Sequence, residues 1–396
     1  TRLSQDGGFA FEYSATFKQA LRGNQATMQA MMDEYGKSII MDYSYKYFYT
    51  DGYGKDYRIY NLKDDTIQEQ KELYLTGCLL SFYQQMKLYQ HNGQAYAPFL
   101  VEKPLLVFVG NRVTATTSKG ELTDVEEILT FIDGFVRNRR RSIGYIGAVL
   151  NEDTGLLDNK NYELFYGDFH PLKRLSNYSR DVTPQQTYED MLCILFNADT
   201  LGHEPRLMLT DLRQVEGEIA LQIGEQGAYF GVINIGDTAT LLKNCEKKGL
   251  VTKTEEFVSE SLFQAINQAD SNIHVLIGSR KFTEGWNSWR VSTMGLINFA
   301  KGEGSQAIQL FGRGVRLKGY QGRLKRSSKL DVPATIPKDI QALETLTIFG
   351  VKAQYMEDFK RFLELEEMPT DKPLRHTLPV VKRLQGLAAK KLQVIR

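Results

Sequence analysis

Two arginines three positions apart are the residues of this sequence best suited to binding phosphate. They belong to the stretch Gln-Leu-Phe-Gly-Arg-Gly-Val-Arg, in which Gln309, Arg313 and Arg316 recur at three- to four-residue spacing. This spacing predicts that their side chains share one side of a helix. A guanidinium stays charged and can bind two oxygens at once, so two of them one turn apart suit a polyphosphate. A surface helix that carries two ordinary arginines is the alternative.

A second polar stretch lies upstream of these arginines and follows a predicted strand. Residues 273–277 form a short apolar run rich in β-branched side chains, which is typical of a buried parallel strand. Ser279 comes almost directly after this run, and Gly285 and Asn287 follow a few positions later. An ordinary loop between a strand and a helix is the alternative interpretation. Residues 292–299 predict the next strand, which leads to the arginine helix.

The order and spacing of the two stretches resemble motifs six and five of the superfamily-two, DEAD/DEAH-like helicases. The resemblance implies that Arg316 acts as an arginine finger on ATP and that Arg313 contacts the same phosphates. Gln309 and Gly312 are the further nucleotide-binding positions that the resemblance assigns to the arginine motif. The two motifs together are far more specific than either one alone.

In motif five of this family, a hydroxyl residue just after the strand contacts a nucleic-acid phosphate, and Ser279 takes that position here. The position of Gly285 approaches the nucleotide in the family, together with an acidic residue two places later. In this sequence Asn287 stands where an aspartate is more usual. An asparagine can hydrogen-bond a ribose hydroxyl but brings no charge, so this position departs from the family pattern.

Two weaker signatures lie nearer the start of the chain. Alternating aromatic residues at 9–17 predict a strand that ends in Ser14-Ala-Thr16. The Ser-Ala-Thr sequence resembles motif three of the same helicases. In that family the hydroxyl groups of this motif couple the ATP state to nucleic-acid binding. A second apolar run ends in Gly110-Asn-Arg112 and resembles motif four. Ligands of open α/β sheets lie at the carboxyl ends of strands, so Gly110 and Arg112 are predicted to contact nucleic-acid phosphate. A turn with a solvated arginine is the alternative.

The group that matches this motif order best is the Res subunit of type III restriction enzymes. The resemblance covers residues 9–17 and 100–360 and is strongest over 273–320. It implies ATP-driven translocation or unwinding, with double-stranded DNA as the expected partner and a modification methyltransferase as a further one. The alternative function is a non-catalytic nucleic-acid-binding or scaffold module with helicase architecture. No Pro-Asp…(Asp/Glu)-x-Lys pattern is found, so the sequence does not predict DNA cleavage.

The sequence lacks the phosphate-binding loop of such an ATPase. A P-loop reads Gly-x-x-x-x-Gly-Lys-(Ser/Thr) after a strand, whereas the Gly-Lys-Ser at 36–38 follows a predicted helix and has Met31 in place of the first glycine. Gly36 is interpreted as a helix C-cap, and Asp33-Glu34 lacks the strand of a Walker B motif. The family implies ATP and Mg²⁺ as cofactors. We therefore expect a C-terminal fragment, with the Walker A and B motifs and the magnesium ligands in a missing N-terminal part.

The composition argues against a membrane protein and against a strongly basic one. Of the 396 residues 42% are hydrophobic and 24% charged, and the net charge is +1, so nucleic-acid binding would need local basic patches. No apolar run reaches membrane-spanning length and no signal peptide is visible. Cys78, Cys193 and Cys245 lie in apolar segments without metal-ligand spacing. We therefore expect these cysteines to be reduced residues of the core, as in a cytoplasmic protein. We expect no metal site within this chain.

The predicted fold class is α/β, with a RecA-like parallel sheet and flanking helices. Residues 1–60 are assigned to a remnant of the first RecA-like lobe, and residues 61–99 to a helical linker that bridges the lobes. Residues 100–330 are assigned to the second, helicase C-terminal lobe, with an insertion at about 142–205. Residues 331–396 are predicted to form a helical C-terminal extension, which includes the apolar run that starts at Leu343.

Local patterns predict several elements inside these domains. Residues 38–60 combine aromatic and β-branched residues with glycines and predict strands joined by a turn. Alternation over 206–223 predicts a β-hairpin, a helix is predicted to start after Thr183-Pro184, and helices are predicted at about 237–248 and 255–268.

Two basic segments each have two interpretations. Arg137 and the run 139–141 are predicted to end a helix at 122–137, where the helix dipole favours cations, and a nucleic-acid patch is the alternative. The basic, glycine-rich segment 317–329 is either a mobile loop that touches nucleic-acid phosphate or a solvated linker.

Overall fold

The computed structural model describes the central sheet, most of its flanking helices and their connections. The described residues are 13, 25–41, 43–62, 67–91, 93–110, 124–158, 160–175, 182–198, 205–255, 258–278, 286–297, 304–350, 360 and 363–364.

The described residues form one sheet of nine strands. The strands are β1 (Asp56–Asn61), β2 (Leu105–Gly110), β3 (Leu207–Leu212), β4 (Glu218–Ile223), β5 (Gly231–Asn234), β6 (Val251–Glu255), β7 (Val275–Gly278), β8 (Val291–Ile297) and β9 (Thr345–Gly350). Their order across the sheet is β1-β9-β8-β2-β7-β5-β4-β3-β6. Within this sheet β4 alone runs against its neighbours, so the carboxyl ends of the other strands meet at one edge.

Helices cover both faces of this sheet. The helices of the described residues are α1 (Gln25–Tyr35), α2 (Tyr45–Thr50), α3 (Gln68–His91), α4 (Gly93–Tyr96), α5 (Asp124–Arg137), α6 (Arg139–Leu150), α7 (His170–Lys173), α8 (Pro184–Phe196), α9 (Thr238–Lys247), α10 (Leu262–Ala265), α11 (Gly304–Gly314) and α12 (Ile340–Leu343). The exposed α1 is not among those that contribute to the core of either face. Short 3₁₀ turns lie at Gly36–Ser38, Ala97–Phe99, Tyr320–Gly322 and Ser327–Lys329.

Strand β2 shows how the two faces are buried. Leu106 and Phe108 contribute to the core on the side that we call face A, which α3, α5, α6, α8 and α9 cover. Leu105, Val107 and Val109 contribute to the core on the other side, face B, which α2, α10 and α11 cover. A strand that is apolar on both sides is what a parallel sheet between two layers of helices requires. The predicted α/β class with flanking helices is therefore confirmed.

The apolar run that begins at Leu343 is mostly a strand, not part of a helical tail. β9 pairs in parallel with β8 on one side and with β1 on the other. It buries Leu346 and Ile348 on face B and Phe349 on face A. A short apolar run has no periodicity that separates a strand from a helix, so its distant pairing partners decide its structure. The rest of the predicted tail beyond Gly350 lies almost wholly outside the described residues.

The segment 38–60 contains a helix and a single strand, whereas its composition predicted strands only. Helix α2 places Tyr45 and Tyr49 on one side, where Tyr45 meets Phe311 edge-on with ring centroids 5.2 Å apart. This tertiary packing overrides the strand preference of aromatic residues. β1 then forms the edge of the same sheet as the strands assigned to the second lobe.

Helix α3, which the sequence assigned to an inter-lobe linker, packs along face A. The Tyr74 hydroxyl donates to the main-chain oxygen of Tyr60 at 3.1 Å, and the Gln85 amide donates to that of Thr345 at 3.0 Å. Gly77 lies directly under the ring of Phe165, which belongs to the predicted insertion. The insertion therefore contributes to the core on this face and does not form a separate unit.

Some of the other local predictions are confirmed and others are wrong. The helix after Thr183 is confirmed and has a capping box, because Thr183 and Gln186 exchange side-chain and main-chain hydrogen bonds. The hairpin is confirmed as β3 and β4, and the helix at about 237–248 as α9. The prediction of a helix over 255–268 is wrong in its extent, since the described residues of that range, 255 and 258–268, form only the short α10. Cys193 is exposed, in contrast to the buried Cys78 and Cys245.

Among the described residues, no helix combines the length and the apolar character needed to cross a membrane.

Candidate functional site

The two arginines of the predicted phosphate site lie at the end of α11 and just beyond it. Arg313 is in the last turn of the helix, whereas Arg316 follows the final residue, Gly314. The prediction that both arginines share one side of a helix is therefore wrong for Arg316. Just beyond the helix, the Val315 carbonyl accepts a hydrogen bond from the Lys55 main-chain NH at 2.6 Å, ahead of β1.

Both guanidiniums contact the segment that the sequence identified as the second polar stretch. Arg313 donates through Nη1 to the main-chain oxygen of Trp286, and Arg316 donates through Nη1 to the side-chain oxygen of Asn287. The Asn267 amide in turn donates to the main-chain oxygen of Asn287 at 2.8 Å. Residues from the two predicted motifs are thus brought together, although they lie nearly thirty positions apart in the sequence.

The buried ring of Trp286 fixes this segment on face B. It stacks on Phe263 of α10, with ring centroids 6.4 Å apart and an angle of 29° between the planes. Leu310 and Phe311 of α11 belong to the same apolar cluster. The arginines are therefore held by a rigid layer and point to the amino ends of the neighbouring strands.

The electrostatics of the pair suit an anion. Burial, and then the neighbouring charge of Arg316, lowers the pKa of Arg313. Arginine has so high an ordinary pKa that the group remains charged at neutral pH. The hydrogen-bond partner of Arg316 is the neutral carboxamide of Asn287, which does not compensate its charge. Two adjacent guanidiniums with such partners can bind phosphate oxygens directly.

The other residues predicted for nucleotide binding are only partly placed. Gln309 and Gly312 are exposed on α11, on the side away from the sheet. Gly285 lies outside the described residues.

Gly110, predicted to contact nucleic acid, has a packing reason for being a glycine. It is the last residue of β2, and an added Cβ would lie 2.7 Å from the Cβ of Asp124 at the start of α5. The predicted phosphate contacts Arg112 and Ser279 lie outside the described residues, as do Ser14 and Thr16.

The strand register places the ends of β2 and β7 side by side at the carboxyl edge of the sheet. Val109 pairs with Gly278 across β2 and β7. In the sequence, Ser279 comes one residue after the end of β7, and Arg112 comes two residues after the end of β2. Asn287 precedes β8 and therefore lies towards the opposite, amino edge. Asn287 and the ends of β2 and β7 therefore lie at different edges of the sheet.

The basic segment 317–329 is anchored to the fold at Arg326, whereas residues 321–324 are exposed. The buried Arg326 guanidinium donates to the main-chain oxygens of Tyr49, Tyr53 and Gly54 at 2.7–3.2 Å and stacks 4.2 Å from the centre of the Tyr49 ring. It fixes the α2 segment beside the end of α11. No spacing in the sequence indicates this contact, because its partners are main-chain atoms more than 270 positions away.

The arginine run after α5 also differs from its prediction. Arg137 is in the last turn of α5, but the run 139–141 opens α6, where the helix dipole disfavours cations. These side chains instead pair with carboxylates: Arg137 with Asp133, Arg139 with Glu189, and Arg141 with Glu72.

The described residues do not provide a magnesium site or a P-loop. Nowhere in these segments do three or more His, Cys, Asp or Glu side chains converge as metal ligands would. Gly36–Ser38 is an exposed 3₁₀ turn that directly follows α1, which agrees with the interpretation of Gly36 as the end of a helix.

Compared with protein-family models, with curated proteins and with solved structures, the chain has no significant match in any of the three.

Proposed function

We propose that this chain is the C-terminal part of an ATP-dependent nucleic-acid helicase or translocase of the Res-like group. It supplies the arginine finger and part of the nucleic-acid cleft. The hydrogen bond between Arg316 and Asn287 carries the proposal, because it joins the two sequence motifs from which the helicase resemblance was drawn.

The charge on Arg316 explains what this contact can do. A carboxylate at position 287 would neutralise the guanidinium, whereas the carboxamide orients it and leaves its charge for an incoming phosphate. Phosphoryl transfer depends mostly on positioning and on stabilising charge, and a fixed guanidinium provides both. Arg313, held by the Trp286 carbonyl, places a second positive charge beside it.

The opposite edge of the sheet fits a different ligand. The described ends of β2 and β7 are adjacent there. In the sequence Arg112 and Ser279 come within two residues of these ends, and such residues can bind a phosphate backbone without reading bases. Nucleotide and nucleic acid would then occupy opposite edges of one rigid sheet.

The first test replaces the proposed finger in the intact protein. Arg316→Ala should reduce the turnover number for ATP by about 10³–10⁵, with much less effect on nucleotide affinity, because a finger acts mainly on charge in the transition state. Steady-state hydrolysis and equilibrium nucleotide binding measure the two quantities. Arg323→Ala, at an exposed arginine a few residues further on, is the matched control and should keep normal turnover. An Arg316→Ala protein with unchanged turnover would rule out the finger.

One observation favours a non-catalytic, nucleic-acid-binding module instead. The Gly-Lys-Ser of this chain is an exposed turn and not a loop between a strand and a helix. Nucleic-acid-stimulated ATP hydrolysis by the intact protein would exclude this alternative, and its absence together with retained nucleic-acid binding would establish it.

A further inference from the structure

A cleft of about 840 Å³ opens on face A, at the amino ends of β1 and β9. Asp56 and Arg58 of β1 line its base. The predicted insertion, through residues 166–174, forms one wall, and residues 336–342 form the other. A volume of this size is typical of sites for small ligands. Arg316 lies on the other face of the sheet, so the cleft is separate from the proposed nucleotide site.

Arg58 is held rigidly at the base of this cleft. Its Nη1 lies 2.6 Å from a carboxylate oxygen of the buried Asp168 and 3.4 Å from the Tyr60 hydroxyl. Tyr60 donates to the other oxygen of Asp168 at 2.6 Å. Within the described part of the chain, Nε and Nη2 of Arg58 have no hydrogen-bond partner, and the side chain is 29% exposed. The guanidinium therefore presents unused donors to the cleft in a fixed orientation.

Three more basic side chains line the same cleft. Arg174 is 45% exposed and contacts Asp339 through one terminal nitrogen. Lys338 is exposed, and the Tyr96 hydroxyl fixes its main chain by donating to its carbonyl at 3.2 Å. His170 lies 3.7 Å from Glu152, which is the longest of these contacts.

The carboxylates of the cleft are already engaged. Asp56 accepts hydrogen bonds from the Tyr49 hydroxyl at 2.7 Å and from the Tyr57 main-chain NH at 2.8 Å. Asp339, whose side chain is only 9% exposed, pairs with Arg174, whose side chain is 45% exposed. Arg58 therefore keeps donors that face the cleft, and Lys338 adds an exposed ammonium, which favours a ligand rich in acceptor oxygens.

We propose that this cleft binds a phosphate group, through Arg58 at its base and Arg174 and Lys338 on its walls. Arginine forks match the geometry of phosphate oxygens, and a lysine adds a mobile point charge. The partly exposed Tyr166 and Ile336 provide apolar surface for the rest of the ligand. The phosphate could belong to a small phosphorylated compound or to the backbone of a nucleic-acid strand. The inference goes beyond the proposed function and does not depend on it.

The experiment compares Arg174→Gln/Lys338→Gln with Lys173→Gln, all in the full chain. Arg58 is left intact, because its removal would leave the charge of Asp168 buried without a partner. Lys173 is the matched control, since it lies on the same short helix but faces Glu152 outside the cleft. An Arg313→Gln/Arg316→Gln background removes both guanidiniums that are proposed to bind phosphate at the other face. Calorimetry measures binding of pyrophosphate, and fluorescence anisotropy measures binding of a labelled oligothymidylate.

Loss of two charged hydrogen bonds should weaken phosphate binding by at least about tenfold in the double variant. The Lys173→Gln control should bind as the parent does. If the loss is seen with pyrophosphate, the ligand is a small phosphorylated compound; if it is seen only with the oligonucleotide, the ligand is a nucleic-acid strand. The proposal is overturned if the double variant and the parent bind both probes equally, or if neither probe binds to the parent.

Discussion

Lys55 is a buried cation that fixes the end of α11 against the start of the sheet. It is only 4% exposed, and its ammonium donates to the carbonyls of Val291 and, at 3.3 Å, Trp289. Burial lowers the pKa of Lys55 from 10.5 to about 8, although the charge of Glu102 opposes the shift. The folded protein therefore holds a charge at neutral pH at some expense of stability.

This burial predicts a stability that rises with pH. Between pH 8 and 10.5 the unfolded chain binds more protons at Lys55 than the folded chain does, so unfolding becomes less favourable as pH increases. From about pH 7.5 to about pH 9.5, Lys55 should add about 2 kcal/mol to the free energy of unfolding. Urea denaturation of the parent and of Lys55→Met at both pH values measures this contribution.

The comparison with Lys55→Met isolates the lysine from groups that act in the opposite sense. Burial raises the pKa of the Cys78 thiol, and raises that of Cys245 to about 12. These thiols ionise first in the unfolded chain, so they destabilise the fold at alkaline pH in both proteins. If the free energy of unfolding depends on pH equally in the parent and in Lys55→Met, the pKa of Lys55 is not lowered in the folded protein.

At the scale of elements, two glycines within helices lead to opposite predictions for the same substitution. Alanine in a helix interior stabilises the helix by about 1 kcal/mol relative to glycine. In α6, Gly144 faces open space, so Gly144→Ala should stabilise the protein by about 0.5–1 kcal/mol. In α3, an added Cβ on Gly77 would lie 2.2 Å from the ring of Phe165. Overpacking of this kind costs about 1–3 kcal/mol, so Gly77→Ala should destabilise the protein despite its helix propensity.

Chemical denaturation of the two single variants tests this pair of predictions. Both changes add one methyl group to a helix, so the gain from helix propensity is the same in the two variants. The difference between their free energies of unfolding therefore measures the effect of the contact with Phe165. If Gly77→Ala is as stable as Gly144→Ala, the insertion does not pack on α3 as the structure shows.

The elements that the sequence predicted correctly carry their information locally. The helix after Thr183 has a cap and a proline at its first position, and the hairpin has alternation and a turn at Gly217. β9 has no such local signal, because its structure depends on pairing with β1 and β8, which are distant in sequence. The candidate site was partly predicted for the same reason. The spacing of residues in the sequence identified Arg316 and Asn287, whereas the contacts of Trp286 and Lys55 that position them depend on the fold.

At the scale of the whole molecule, the sheet separates the proposed ligands. Arg316 lies on face B near the amino edge, the phosphate cleft lies on face A, and the ends of β2 and β7 form part of the carboxyl edge. Because the strands between these places are buried on both faces, the sheet is a rigid connection and not a hinge.

The last prediction concerns the carboxyl edge, where Arg112 and Ser279 follow neighbouring strands. We expect sequence-independent binding along the backbone of one strand, with an affinity that falls as salt rises. Arg112→Ala should reduce the slope of log affinity against log salt concentration by roughly 0.7–0.9. This is the change expected when the counterion of one phosphate is no longer released on binding. Ser279→Ala should weaken binding without changing the slope, because a neutral hydroxyl releases no ion.

Anisotropy titrations of a labelled oligonucleotide at several salt concentrations measure both quantities. Arg140→Ala is the matched control, since that arginine is exposed after α5, at the opposite edge of the sheet, and should leave the contribution of the carboxyl edge intact. If the folded Arg112→Ala protein keeps the affinity and the slope of the parent, nucleic acid does not bind where β2 and β7 end. The resemblance of Gly110-Asn-Arg112 to motif four would then have no functional meaning, whatever the outcome at Arg316, because the two sites use different edges of the sheet.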